Sequence, residues 1–170
     1  TYGRVLLLDK MRTTLNSQDF PFVASGAANI PLRSYTVPAY AMGLNSTLHV
    51  TLFLAVDTNA VNLTFYLKFG GTKLWTAAPA VGATPLAMKA ETWIANQNSA
   101  SSQKSLLQLF STTTENKPAT PTVTTNGYQS FSATASADTT TAQTLAVMMD
   151  RANNSQASTI LWREWTVEVI

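Results

Sequence analysis

A two-residue hydrophobic period, repeated in four well-separated runs, constrains this chain more than any other feature. In Leu48-His49-Val50-Thr51-Leu52-Phe53-Leu54 every even position is aliphatic. An extended strand puts alternate side chains on one face, so such a run reads as a half-buried strand. Leu63 to Phe69 repeats the pattern with apolar odd positions. Thr144 to Arg151 sets Leu145, Val147 and Met149 against Thr144, Ala146, Met148 and Asp150. Ile160 to Ile170 sets Leu161, Arg163, Trp165, Val167 and Val169 against Ile160, Trp162, Glu164, Thr166 and Glu168.

Weaker runs fill the gaps. Leu86 to Asn96 puts Leu86, Met88, Ala90 and Ile94 on one face and Trp93 on the other. Ser105 to Thr112 opposes Leu107 and Leu109 to Leu106 and Phe110. Lys73-Leu74-Trp75 starts a short strand, and Tyr128 to Ser136 alternates weakly. The links carry turn chemistry: Asp57-Thr58-Asn59-Ala60, Gly70-Gly71, the polar stretch Gln97 to Gln103, and Asn153-Asn154. Residues 113 to 126 hold Pro118 and Pro121, which bars them from a central strand. No segment recurs at helical spacing. Asp9 to Ser17 would form one or two turns at most, because Thr13, Thr14 and Asn16 are poor helix formers. The expectation is an all-β, single-domain β-sandwich: a jelly roll of about eight antiparallel strands.

Composition narrows the function. Of the 170 residues only 12% are charged, against 45% hydrophobic. The surface is therefore made of Thr, Ser, Asn, Gln and Ala, which repels neighbours little and suits close assembly. Net charge is +2, with bases scattered along the chain, so no basic stripe for nucleic acid is present. The absence of cysteine excludes disulfides, thiolate metal sites and a cysteine nucleophile. Val5 to Leu8 is too short for a signal-peptide core, and no apolar run approaches a membrane span.

Sites of chemistry are sparse. His49 is the single histidine and lies opposite the apolar face of its run, which fits a surface or interface role. Glu164 and Glu168 share one strand face but stand roughly 13 Å apart, too far for paired-acid glycoside hydrolysis. Asp150 would meet Glu164 only across a hairpin of suitable register. No calcium loop or phosphate-binding glycine loop is present. The expectation is a protein that is not an enzyme and needs no cofactor or metal. Trp75, Trp93 and Trp162 are candidates for glycan or interface contacts, with Trp162 and Trp165 on opposite faces of one strand.

Several phrases carry a resemblance: Ser34 to Ala39 (SYTVPA), Leu48 to Trp75 as a strand pair with its glycine corner, Thr139 to Asp150, and Ala157 to Ile170. From residue 33 onward the chain resembles phage virion proteins of the jelly-roll, tumour-necrosis-factor-like type. The resemblance implies a homotrimer on the outer surface of a capsid, or at the tip of a fibre or tail, and carries over no catalytic residue. The expected function is a capsid decoration, or cement, protein that binds the major capsid protein and stabilises the shell. The alternative is a receptor-binding knob that recognises host glycans. Neither nucleic acid nor membrane is an expected partner. Residues 1–32 lie outside the resemblance and read as an N-terminal arm ahead of a sandwich over 33–170. The arm is too short for its own core and too apolar for a linker. Tyr2, Arg4, Leu6, Leu8, Lys10, Arg12, Phe20 and Phe22 are its candidate capsid or subunit contacts.

Overall fold

A computed structural model of the chain describes residues 5–20, 30–56, 63–77, 86–113, 127–151 and 158–170. Residues 11–20, 56, 63, 86, 111–113, 127–131, 151 and 158–163 are described by backbone alone. The described residues form ten strands and no helix. They are β1 (Leu6–Phe20), β2 (Ile30–Val37), β3 (Thr47–Val56), β4 (Leu63–Phe69), β5 (Thr72–Ala77), β6 (Leu86–Asn96), β7 (Gln103–Thr113), β8 (Gly127–Ala135), β9 (Gln143–Arg151) and β10 (Ser158–Val169).

They make a six-stranded sheet, β1-β10-β3-β6-β7-β8, and a four-stranded sheet, β2-β9-β4-β5, with every pairing antiparallel. Without β7 and β8 the orders become β1-β10-β3-β6 and β2-β9-β4-β5. These are the two interleaved sheets of a jelly roll, to which β7 and β8 add a hairpin at the edge of the larger sheet. The eight strands expected from the sequence are β3 to β10, and β1 and β2 raise the count to ten. The core lies between the sheets. Leu48, Val50, Leu52 and Leu54 of β3 pack with Phe65, Leu67 and Phe69 of β4, Leu145, Val147 and Met149 of β9, and Trp165 of β10; all are buried.

Among the described residues, polar atoms tie the sheets together at a core site and at an edge site. Trp75 on β5 donates its Nε1–H to Thr92 Oγ1 on β6 at 3.0 Å, inside the core. At the β1 edge, Asp9 Oδ2 accepts from Trp165 Nε1 at 2.7 Å and from Arg33 Nη2 of β2 at 3.0 Å. The Arg33 guanidinium lies 5.7 Å from the Trp165 ring centroid.

One end of the sandwich is closed by a network of neutral side chains. Gln103 Nε2 donates to Asn96 Oδ1, Ala100 O and Ala137 O, while Gln103 Oε1 accepts from Ala137 N. Asn96 Nδ2 donates to Gly43 O and Thr139 Oγ1. Thr139 N and Oγ1 both donate to Ala100 O. Three loops are thereby held together: those between β2 and β3, β6 and β7, and β8 and β9. The β4–β5 turn abuts the same place. Gly70 there has φ +54°, and a Cβ on it would collide with the Ala137 Cβ.

Two expectations change. Residues 6–20 do not stand apart from the sandwich as an arm: they are β1, paired along β10 from Leu6↔Val169 to Phe20↔Ser158. The boundary expected between residues 32 and 33 falls inside β2. The pairing satisfies the outer backbone groups of β10, which would otherwise leave a strand edge open. Register shifts between Leu7 and Asp9 and between Arg12 and Asn16 break the two-residue period, which hides the strand in the sequence. The second change concerns β9 and β10. They belong to different sheets, so Asp150 and Glu164 do not meet across a hairpin. Asp150 Oδ1 instead accepts from Tyr66 Oη at 2.9 Å.

Candidate functional site

Two surfaces stand out on a molecule whose core is already complete between its sheets. The first is the outer face of the six-stranded sheet. Cross-strand register sets Glu168, His49, Trp93, Leu106 and Ser132 side by side across β10, β3, β6, β7 and β8. His49 and Trp93 stack with ring centroids 5.0 Å apart and planes 16° apart. Such offset contact contributes roughly 0.5–1.5 kcal/mol beyond burial. Glu168 Oε2 lies 3.6 Å from His49 Nδ1. A carboxylate is thus held on the far side of the histidine from the tryptophan.

On the other flank of Trp93 is an open groove of about 610 Å³, lined by Trp93, Ala95, Lys104, Ser105, Leu106, Ser132, Ala133 and Thr134. Leu106 is 42% exposed. Further along the same face, Lys89, Glu91, Gln108 and Phe110 line a smaller hollow of about 150 Å³. Lys89 Nζ meets Glu91 Oε1 at 2.6 Å, and that hydrogen bond raises the lysine pKa above its ordinary value.

The second surface is the end of the sandwich where β1 begins and β10 stops. Leu6 pairs with Val169, and Ile170 exchanges both backbone hydrogen bonds with Thr47. Leu44 lies three residues before Thr47, in the loop that the polar network holds. Val5, Leu6, Leu7, Tyr40, Leu44 and Ile170 are all exposed there. Tyr40 is 76% exposed and has φ 61°, a conformation that costs a non-glycine residue energy.

The sequence-based candidates divide as follows. Leu6 and Lys10 are exposed, whereas Leu8 packs partly against the core. Tyr2, Arg4 and Phe22 lie outside the described residues; Arg12 and Phe20 are placed on β1 by backbone only. Trp75 is 5% exposed, with its nitrogen bonded to Thr92, so it serves the core and touches no outside ligand. Trp93 is half-buried and lines the groove. The side chain of Trp162 lies outside the described part. Sequence reasoning missed Lys104, Leu106, Ser132 and Thr134. Their strand parity was legible, but the register that brings β8 beside Trp93's neighbour was not. No group of three or more His, Asp or Glu side chains is placed to hold a metal among the described residues.

No protein-family model matches the chain, and no curated protein matches it. Among solved structures it is similar to the CBM2 module of the evolved Dit of Lactobacillus casei BL23 phage J-1. The likeness covers 96% of this chain and 95% of that one, at 9% identity and a TM-score of 0.37. At that TM-score the functional reading rests on the chain's own geometry.

Proposed function

We propose that the chain is a phage virion structural protein, a capsid decoration protein seated on the outer capsid surface. It meets the major capsid protein through the end of the sandwich formed by the start of β1, the end of β10 and the β2–β3 loop. One observation carries this reading: six of the eight exposed large hydrophobic side chains among the described residues cluster at that end. A sandwich that buries its own core gains nothing from such a cluster, which fits an interaction surface. The low charged fraction fits tight seating against other subunits. The role needs no catalytic residue, cofactor or metal.

In this reading the protein is a homotrimer, as the sequence resemblance implies. The inward side of β10 buries Trp165, Val167 and Val169, while its described outer positions are Glu164, Thr166 and Glu168. Since the described outer positions of β10 are polar, the trimer contact in this reading draws on the apolar end.

Removing the N-terminal residues is no test, because it would delete β1. The triple variant Leu6→Glu, Leu7→Glu, Leu44→Glu alters exposed positions only. Its circular dichroism should stay β-type while its occupancy on stripped capsids falls at least about tenfold. Wild-type occupancy would overturn the reading, and sedimentation that shows only monomers would remove the trimer. A receptor-binding knob is the second reading, and the Trp93 groove favours it.

A further inference from the structure

The outer face of a sheet has no structural need for a tryptophan. Trp93 is nonetheless held there rigidly: His49 covers one flank, with Glu168 beyond it, and the other flank opens on the groove. Both walls are on strands within one continuous sheet, so the site is preorganised and binding costs little ordering entropy.

We propose that this groove binds an acidic saccharide. A pyranose ring has an apolar C–H patch edged by hydroxyls, and it stacks on an aromatic face whose rim offers hydrogen-bonding groups. Trp93 and Leu106 supply the apolar wall, and Ser132 and Thr134 supply exposed hydroxyls. Among the described residues Lys104 is the one charged residue in the lining, and no carboxylate stands there to oppose it. An ammonium so placed favours a ligand that carries a carboxylate, sulfate or phosphate. The volume of about 610 Å³ suits a short oligosaccharide. A second copy of the chain fits less well, because six of the eight exposed large apolar side chains among the described residues lie on the start of β1, the β2–β3 loop and Ile170, outside the groove lining, while hydroxyls edge the groove. This site deepens the knob reading, and it stands whichever part of the particle carries the chain.

The test is a printed array of neutral, carboxylated, sulfated and phosphorylated glycans, followed by titration of the intact protein with the best acidic hit. Trp93→Ala should weaken that binding at least about tenfold. Ser132→Glu, at an exposed position that leaves the fold alone, should do the same by repulsion, and it keeps the test valid if Trp93→Ala fails to fold. Lys104→Gln should bring the affinity for the acidic glycan down to that for its neutral counterpart. Capsid occupancy, measured on the same variants, should not change, which separates loss of this site from loss of attachment. The proposal is overturned if no acidic glycan binds, if binding survives both Trp93→Ala and Ser132→Glu, or if Lys104→Gln leaves the preference for acid intact. It is equally overturned if Ser132→Glu splits an oligomer in sedimentation, since the groove is then a contact between copies.

Discussion

At the loop end the sandwich is closed by neutral amides and hydroxyls, and at the β1 edge by an ion pair. Gln103, Asn96 and Thr139 are 1%, 4% and 3% exposed, and every contact among them is between uncharged groups. Asp9 and Arg33 keep side-chain exposures of 21% and 28%. Burying neutral polar groups is tolerable when each finds a partner, and breaking the set then strands several at once. A partly exposed ion pair is easier to form and contributes less, because water and salt screen it. The first arrangement therefore locks three loops in place, while the second ties the N-terminal strand across to the other sheet more loosely.

The sharpest way to break this contrast is Gln103→Leu. It strips Asn96 Oδ1, Ala137 N and Ala137 O of the Gln103 side chain, while Ala100 O keeps its bonds from Thr139, so urea unfolding should show a loss of about 3 kcal/mol, unchanged in 1 M salt. Asp9→Ala should cost less, about 1–2 kcal/mol, with the Trp165 indole N–H stranded. Its penalty should shrink in 1 M salt, where the wild-type pair is itself screened. An equal salt response in the two variants would erase the distinction. Trp75→Phe removes one buried neutral hydrogen bond and should cost about 1 kcal/mol, placing a single neutral tie below the network. Asp138→Asn should be the smallest. Hydrogen bonds from Thr140 hold the Asp138 pKa below its ordinary value. Its contribution is present above the carboxyl's ordinary pKa and is lost as pH falls through the lower folded value. The stability difference between wild type and Asp138→Asn, followed by thermal melting against pH, should therefore close only in acid. A difference that grows with acid would reverse the sign.

Much of this was legible in the sequence where the two-residue period is clean. Leu48 to Leu54, Leu63 to Phe69 and Thr144 to Arg151 are β3, β4 and β9, and Leu86 to Asn96 coincides with β6. Ile160 to Ile170 is nearly all of β10. The placing of Trp93 opposite the core face of its strand holds. β1 was not legible, because its irregular register destroys the alternation and its partner lies at the other end of the chain. The Asp57 to Ala60 link, the Asn153-Asn154 turn and all of the Thr/Pro segment expected over 113 to 126 except Thr113, which ends β7, lie outside the described residues. At the candidate site, Trp93 and His49 were each visible as residues off the apolar face. Their contact depends on which strands become neighbours, and local pattern does not encode that. Trp75 shows the converse: an aromatic that seemed available for a ligand is consumed by a cross-sheet hydrogen bond.

The hairpin of β7 and β8 lies outside the eight strands that define the jelly roll, yet it supplies Lys104, Leu106, Ser132 and Thr134 to the groove. The proposed groove and the jelly-roll architecture are thus written largely on different stretches of chain. Selection can rewrite the outward residues of that hairpin without disturbing the strand exchange that builds the sandwich. The groove residues shared with the jelly roll are Trp93 and Ala95, which sit on β6 away from its core face. A lineage that changes host would be expected to vary at the four hairpin positions while it keeps the tryptophan, a pattern of substitution that a purely architectural surface would have no reason to show.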